Sequence, residues 1–218
     1  MNSSLQRTEK TPTMNTFLHV GCGRLTKERA TAGFNTPDWR EIRLDIDPDV
    51  APDIIGSLTD MSAVGTASMD AIYSSHNIEH LYPHEVPQAL AEFRRVLKDG
   101  GFAVITCPDL QSVAALIAED KLTEPAYTSP AGPITPLDIL FGLRTAVEAG
   151  NHYMAHRCGF TLSVLFTALK EAGFKTIGGI RREGAPHDLW VIASTAMLDA
   201  DDLNRIALDH FPVAVAAA

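Results

Sequence analysis

Only three cysteines stand in the 218 residues, Cys22, Cys107 and Cys158, far apart and outside any CxxC pair. That count and spacing give neither a disulfide framework nor a zinc ribbon, and they suit a reducing compartment such as the cytoplasm. Long apolar runs are missing as well. No stretch approaches the ~18 apolar residues of a membrane span. The first positions, with Ser3, Ser4, Gln6, Thr8, Glu9 and Lys10, lack the apolar segment of a secretion signal. The expectation is a chain that is neither secreted nor membrane-spanning. Positive charge is scarce too: 18 Lys and Arg against 27 Asp and Glu leave a net charge of −9, without the basic footprint that a phosphate backbone requires. Nucleic acid is therefore not expected as a partner. There is no internal repeat, and no GxxxxGK[ST] to mark a P-loop.

What is present is a composition of 45% hydrophobic residues over a length that fills one α/β core and is too short for two ordinary ones. The chain divides into a loose tail over 1–15, one domain over 16–211 and a frayed alanine-rich end over 212–218. The domain opens on Phe17-Leu18-His19-Val20-Gly21-Cys22-Gly23, an apolar run that breaks into a glycine turn and is answered by Asp45. A strand ending in glycines lets backbone N–H groups approach a ligand, and an acid at the tip of the next strand can grip two ribose hydroxyls. Thr26 stands where the dinucleotide fingerprint demands its third glycine, which disfavours a nicotinamide or flavin site.

Further strands are predicted at 42–46, 53–58, 69–75 and 102–107, the last a continuously buried strand of the kind a covered parallel sheet needs. Val86, Ala89, Leu90, Phe93, Val96 and Leu97 recur at helical spacing, and this helix is predicted over 84–98 with Gly100-Gly101 as its stop. Glu92, Arg94, Arg95 and Lys98 read as its wet face. A second stripe follows at Leu110, Val113, Ala114 and Ile117. Pro125, Pro130, Pro133 and Pro136 predict a long irregular connection over 121–136, and Ile139, Leu140, Leu143 and Val147 one helix beyond it. Thr161 caps another helix, Asp199 a last one, and strands near 174–182 and 188–195 form a hairpin. The order favours a doubly wound, mainly parallel sheet with one antiparallel strand inserted late.

With these elements placed, the chain resembles the class I S-adenosylmethionine-dependent methyltransferases, notably the methyltransferase type 11 group. Four blocks carry the resemblance: Leu18 to Gly23, Leu44-Asp45-Ile46-Asp47-Pro48, Asp70 to His80, and Ala91 to Gly101. It implies a Rossmann-like seven-stranded sheet, S-adenosyl-L-methionine as cofactor, and methyl transfer to an acceptor, here expected to be a small molecule. Carried over by position, Gly21 and Gly23 would pass under the methionine part, Asp45 would hold the ribose diol, and Ile46 would pack on the adenine. Leu58 would line its edge, and Ser75 with His76 would close the methionine side. The chain departs from the pattern at His19, where many relatives place an acid, at Leu25 in place of a third glycine, and at Ser57, where an acid often meets the adenine amine.

A hydroxyl acceptor needs a general base, for which histidine suits. His76, His80, His152 and His156 are the candidates. His152, Tyr153, His156 and Arg157, with the 121–160 segment as a lid, form the expected acceptor pocket. Two rival readings stand beside this one. A protein of the same fold could bind the cofactor without transferring a methyl group. His76-x-x-Glu79-His80 also matches the inverzincin pattern of a metal-dependent hydrolase, but the run leaves a strand and meets Tyr82-Pro83 within a turn. No structural or catalytic zinc is therefore expected from His76 to His80, and no metal site elsewhere in the chain. The acceptor, the atom methylated and the oligomeric state are not legible in the sequence.

Overall fold

The computed structural model describes residues 14–182 and 184–212. The tail and the frayed end expected from the sequence lie outside these residues up to position 13 and from 213 onward; Asn15 already opens the first strand.

Strands β1 (Asn15–Val20), β2 (Trp39–Asp45), β3 (Ile54–Ile55), β4 (Met69–Ser75) and β5 (Leu97–Pro108) run parallel. The terminal hairpin of β8 (Thr176–Arg181) and β9 (Asp188–Ser194) completes a seven-stranded sheet in the order β3-β2-β1-β4-β5-β9-β8. Strand β9 is antiparallel to both β5 and β8, so the one reversed strand is inserted late, as expected.

Because successive side chains on a strand point to opposite faces, the apolar runs feed two cores. Leu18, Val20, Ile72, Ala103, Ile105 and Val191 pack on one side with Leu90 and Phe93 of α1 (Val86–Val96) and Leu165 and Leu169 of α5 (Leu162–Glu171). Phe17, Tyr73, Val104 and Ile192 face the other side, against Phe34 and against Leu203 and Ile206 of α6 (Ala200–His210). Phe34 stacks on Phe17 at 4.3 Å between ring centroids. A third, smaller core joins Val113 of α2 (Leu110–Ala118) to Ile134 and Ile139.

Several boundaries differ from expectation. Helix α1 ends at Val96, and the stretch through Gly100-Gly101 belongs to β5; a Cβ at Gly101 would lie 2.9 Å from the Asp70 carbonyl oxygen, so the glycine permits close strand approach at a bulge rather than capping the helix. Glu92 and Arg95 are no simple wet face. They pair with each other, and Arg95 also donates to the carbonyls of Met61 and Val64 while Glu92 accepts from the Met61 N–H, which fastens the loop before β4. Lys98 pairs with Asp70 at 2.8 Å. The third strand is two residues long, not six.

The Pro-rich segment is not wholly irregular: β6 (Tyr127–Ser129) and β7 (Gly132–Ile134) form a hairpin within it. The helix expected after it is two, α3 (Pro136–Phe141) and α4 (Arg144–Glu148), broken at Gly142. Gly142 has φ of 92°, and a Cβ there would meet the Met154 carbonyl oxygen, a close approach only glycine allows.

Phe93 is fully buried between α1 and the sheet. Phe93→Ala should cost about 3–5 kcal/mol of stability, read as a lower urea midpoint; a loss below 1 kcal/mol would show that the core collapses to fill the space.

Candidate active site

The chain leaves β1 toward β2 and β3 on one side and returns to β4 on the other, so a crevice opens at the carboxyl ends of β1 and β4, where open α/β sheets bind ligands. Gly21 and Gly23 turn the backbone there at φ of 57° and 53°. Gly21 has a second reason to lack a side chain: a Cβ would lie 2.0 Å from Asn77 Oδ1. Asn77 donates from Nδ2 to the Val20 carbonyl at 2.8 Å. At the tip of β2, Asp45 accepts from the Gly23 N–H (2.7 Å) and the Asp47 N–H (2.9 Å), one on each carboxylate oxygen. Each oxygen keeps lone-pair capacity for a ligand hydroxyl. Arg43 braces both loops, its guanidinium donating to the carbonyls of Gly23, Leu25, Val50 and Ala51.

These turns enclose a cleft of about 320 Å³, and all seven residues expected to hold the cofactor, Gly21, Gly23, Asp45, Ile46, Leu58, Ser75 and His76, line it. Ser57 lines it too, whereas His19 does not: it is buried behind the turn with its Nδ1 2.7 Å from Glu41 Oε1. A second cavity of about 190 Å³ adjoins it, lined by Tyr127, Asp138 and His156 among others, and His76, His80 and Met154 belong to both walls. Of the expected acceptor cluster, Tyr153 and Arg157 face the cleft, His156 faces the second cavity, and His152 faces neither. A broader depression of about 430 Å³ by Thr66, Arg94 and Asp99 lies at the amino ends of the strands, away from this edge.

Residues 18–105 match the family described as Methyltransferase domain. The structure is similar to a SAM-dependent methyltransferase from Archaeoglobus fulgidus, with 16% identity, 82% of this chain and 85% of that one covered and a TM-score of 0.51. For a SAM-dependent methyltransferase from Methanosarcina mazei the values are 15%, 85%, 94% and 0.53. For a Haloferax volcanii protein solved in complex with the Trm112 methyltransferase activator they are 12%, 84%, 84% and 0.56. The chain has the fold of the class I S-adenosylmethionine-dependent methyltransferases. No curated protein matches the sequence.

In this methyltransferase fold the turn after β4 carries three ionisable groups close together, His76, Glu79 and His80. His76 sits at φ of 53° and precedes a three-residue 3-10 turn, Ile78–His80. The inverzincin arrangement, which needs both histidines on one face of a helix, is therefore not formed. The His76 Nδ1 lies 3.3 Å from Glu79 Oε1 and its Nε2 lies 3.9 Å from Asp188 Oδ2. Burial opposes a charge on His76, but the two carboxylates outweigh it and raise its pKa to about 9. At neutral pH the two carboxylates thus favour the charged imidazolium of His76. Glu79 is fully buried, and burial would raise its pKa; His76 overcomes that and holds it lowered and ionised. Burial lowers the pKa of His156, which is neutral at pH 7.

The 155–158 segment clamps the turn. The N–H groups of Arg157 and Cys158 donate to the Glu79 carbonyl, the Arg157 Nη1 to the His80 carbonyl, and the His80 Nδ1 to the Ala155 carbonyl at 3.1 Å. His80 thus hydrogen-bonds the neighbouring loop; the Glu79 side chain does not. Sequence reasoning missed Asn77, Arg43 and Asp188 as site residues. Only Asn77 lay inside a recognised block, and the others come from a strand interior and a hairpin with no local signal.

A folded-state pKa raised above the unfolded value of about 6.5 means that the His76 proton stabilises the fold fully below that pH and is lost as pH rises through about 9. Unfolding followed between pH 6 and 10 should show a decline that is smaller in His76→Asn, and the His76 ring resonance should titrate near 9. A midpoint near 6.5 would show that the carboxylates do not hold the proton.

Proposed function

We propose that the chain is an S-adenosyl-L-methionine-dependent methyltransferase that transfers the methyl group directly to a small-molecule acceptor. The observation that carries this reading is the adjoining pair of spaces: a cleft ringed by the glycine turn and Asp45, sharing His76, His80 and Met154 with the wall of a smaller cavity. Asp45 would hold the ribose diol, Ile46 and Leu58 would flank the adenine, and Ser75 with His76 would face the methionine part. The bound cofactor supplies an electrophilic methyl on a sulfonium, so the protein's work is alignment, exclusion of water and handling of the acceptor's proton.

The acceptor sits in the second cavity, whose size suits a small molecule. For a hydroxyl acceptor, His156 is the base. Its Nδ1 donates to the Ile139 carbonyl at 2.8 Å, which leaves Nε2 unprotonated in the neutral ring. His76 serves as a fixed cation, and His80 positions the loop that carries His156. The region 121–160, with Tyr127 and Ile134 in the cavity wall, acts as the lid of one domain spanning 16–211. Three free cysteines support a reducing compartment, the cytoplasm, and among the described residues no helix is long and apolar enough to cross a membrane. The net charge of −9 speaks against a nucleic-acid acceptor.

Calorimetric titration with S-adenosylmethionine, S-adenosylhomocysteine and NAD tests the cofactor. Binding of both sulfur ligands and not of NAD is expected; the reverse would end this reading. Asp45→Ala should weaken S-adenosylhomocysteine binding roughly ten- to hundredfold, the worth of hydrogen bonds to a charged group at about 1.5–3 kcal/mol. An unchanged dissociation constant would move the ribose elsewhere.

Incubation with methyl donor and a small-molecule cell extract should release S-adenosylhomocysteine. If the ligand binds and no extract yields product, the chain is a cofactor-binding protein of this fold. Hydrogen exchange should show residues 121–136 protected when S-adenosylhomocysteine is bound; equal exchange in both states would remove the lid.

A further inference from the structure

The wall between the two spaces contains a group that methyl transfer by alignment does not need. One donor atom each from Glu79, His80 and His156 lie within 4.8 Å of one another. Glu79 is 0% exposed, and neither carboxylate oxygen has an aligned hydrogen-bond partner among the described residues; the His76 contact at 3.3 Å touches Oε1 only and misses hydrogen-bond geometry. A fully buried carboxylate met by the His76 imidazolium at one oxygen only has room for a second cation at the other. Both histidines are prepared in the same way. Each uses Nδ1 to donate to a backbone carbonyl, His80 to Ala155 and His156 to Ile139. That hydrogen bond fixes the tautomer with the lone pair on Nε2 and orients the ring, the arrangement outer hydrogen bonds give to metal-binding histidines.

From this geometry we propose that Glu79, His80 and His156 bind one divalent transition-metal ion. Two imidazole nitrogens and one carboxylate oxygen form a three-ligand set that suits zinc or ferrous iron and leaves coordination positions open. A tetrahedral ion with bonds of about 2.1 Å holds its donors about 3.4 Å apart, so small side-chain rotations close the set. The ligands come from two separate segments, and their backbones are already tied together: the Glu79 carbonyl accepts from the N–H groups of Arg157 and Cys158. His76 stands outside the set and remains the ion-pair partner of Glu79 and Asp188.

His80 and His156 both line the second cavity, so the open positions face the space assigned to the acceptor. On the methyl-transfer reading, an ion there would bind an acceptor hydroxyl and lower its pKa, taking over the part given above to the free His156 nitrogen. The acceptor class is then a hydroxyl compound able to coordinate a metal.

Chelator-stripped protein titrated calorimetrically with zinc alone, without methyl donor, tests the ion separately from the methyl-transfer reading. One zinc per chain is expected, with a higher melting temperature on binding. His80→Ala and His156→Ala should each weaken it by more than the ten- to hundredfold that losing an outer hydrogen bond costs. Glu79→Gln, which keeps the buried volume, should weaken it as well, and His76→Ala should not. Absence of saturable zinc binding overturns the proposal. So does zinc that persists in His156→Ala and is lost in His76→Ala, since that places the ion on the neighbouring histidine pair. Failure of this titration leaves S-adenosylmethionine binding to be judged on its own measurement, and the converse holds.

Discussion

Asn77 fills the place where a side chain at position 21 would be. Its amide oxygen lies 2.0 Å from where a Gly21 Cβ would stand, and its amide nitrogen donates to the Val20 carbonyl. One side chain therefore joins the turn after β1 to the turn after β4, across the switch point of the sheet. Everything at the ligand edge is hung from that contact: the glycine turn on one side, and His76, Glu79 and His80 on the other. Asp45 and Arg43 extend it, the first by accepting from Gly23 and Asp47, the second by bracing four loop carbonyls. The loops at this edge are held by polar contacts to backbone, which is how irregular segments keep a fixed shape without a core of their own.

Buried charge is concentrated on the same edge. Glu79 and Asp109 have no solvent exposure and Asp188 almost none. Asp109 is answered by Arg181 at 2.7 Å and caps α2, and Asp188 has Arg182 beside it at 3.0 Å. Glu79 has the least complete set of partners, with His76 touching one oxygen from 3.3 Å. Groups left short of partners in a low-dielectric wall, between two cavities, are where binding energy and catalysis are usually stored rather than stability. That is the physical link between the histidine wall, the lid and the chemistry assigned to them.

Much of the fold follows from local pattern. The run from Phe17 to Val20, broken only by His19, and that from Phe102 to Cys107, broken only by Thr106, are apolar on alternate sides because both faces of the sheet are covered, the pattern of strands in a covered parallel sheet. The hairpin near the end was legible by the proximity of two strand patterns, and its reversed strand followed. Boundaries were not. Leu97 continues the helical stripe of α1, yet it opens β5, because the pairing of Met69 with Leu97 in the sheet outweighs one more helical residue. The same conflict of local pattern with tertiary contact splits the helix at Gly142, where the Met154 backbone passes too close for any side chain.

The sequence by itself determined the glycine turn and the acid at the tip of the second strand, and hence the edge of the sheet where the cleft lies, since each depends on residues within one strand–turn unit whose conformation their own types dictate. It also named His76, His80, His152 and His156 as the histidines of interest, though not which of them reach the two cavities. Only the tertiary structure shows that, because each ring's surroundings are set by neighbours far along the chain. Asp188 comes from β9 to raise the pKa of His76, while Ala155 and Ile139 fix the rings of His80 and His156. His156 comes within 4.8 Å of Glu79 and His80 only when the segment after α4 folds back over the turn, a juxtaposition that no spacing of residues in the chain encodes.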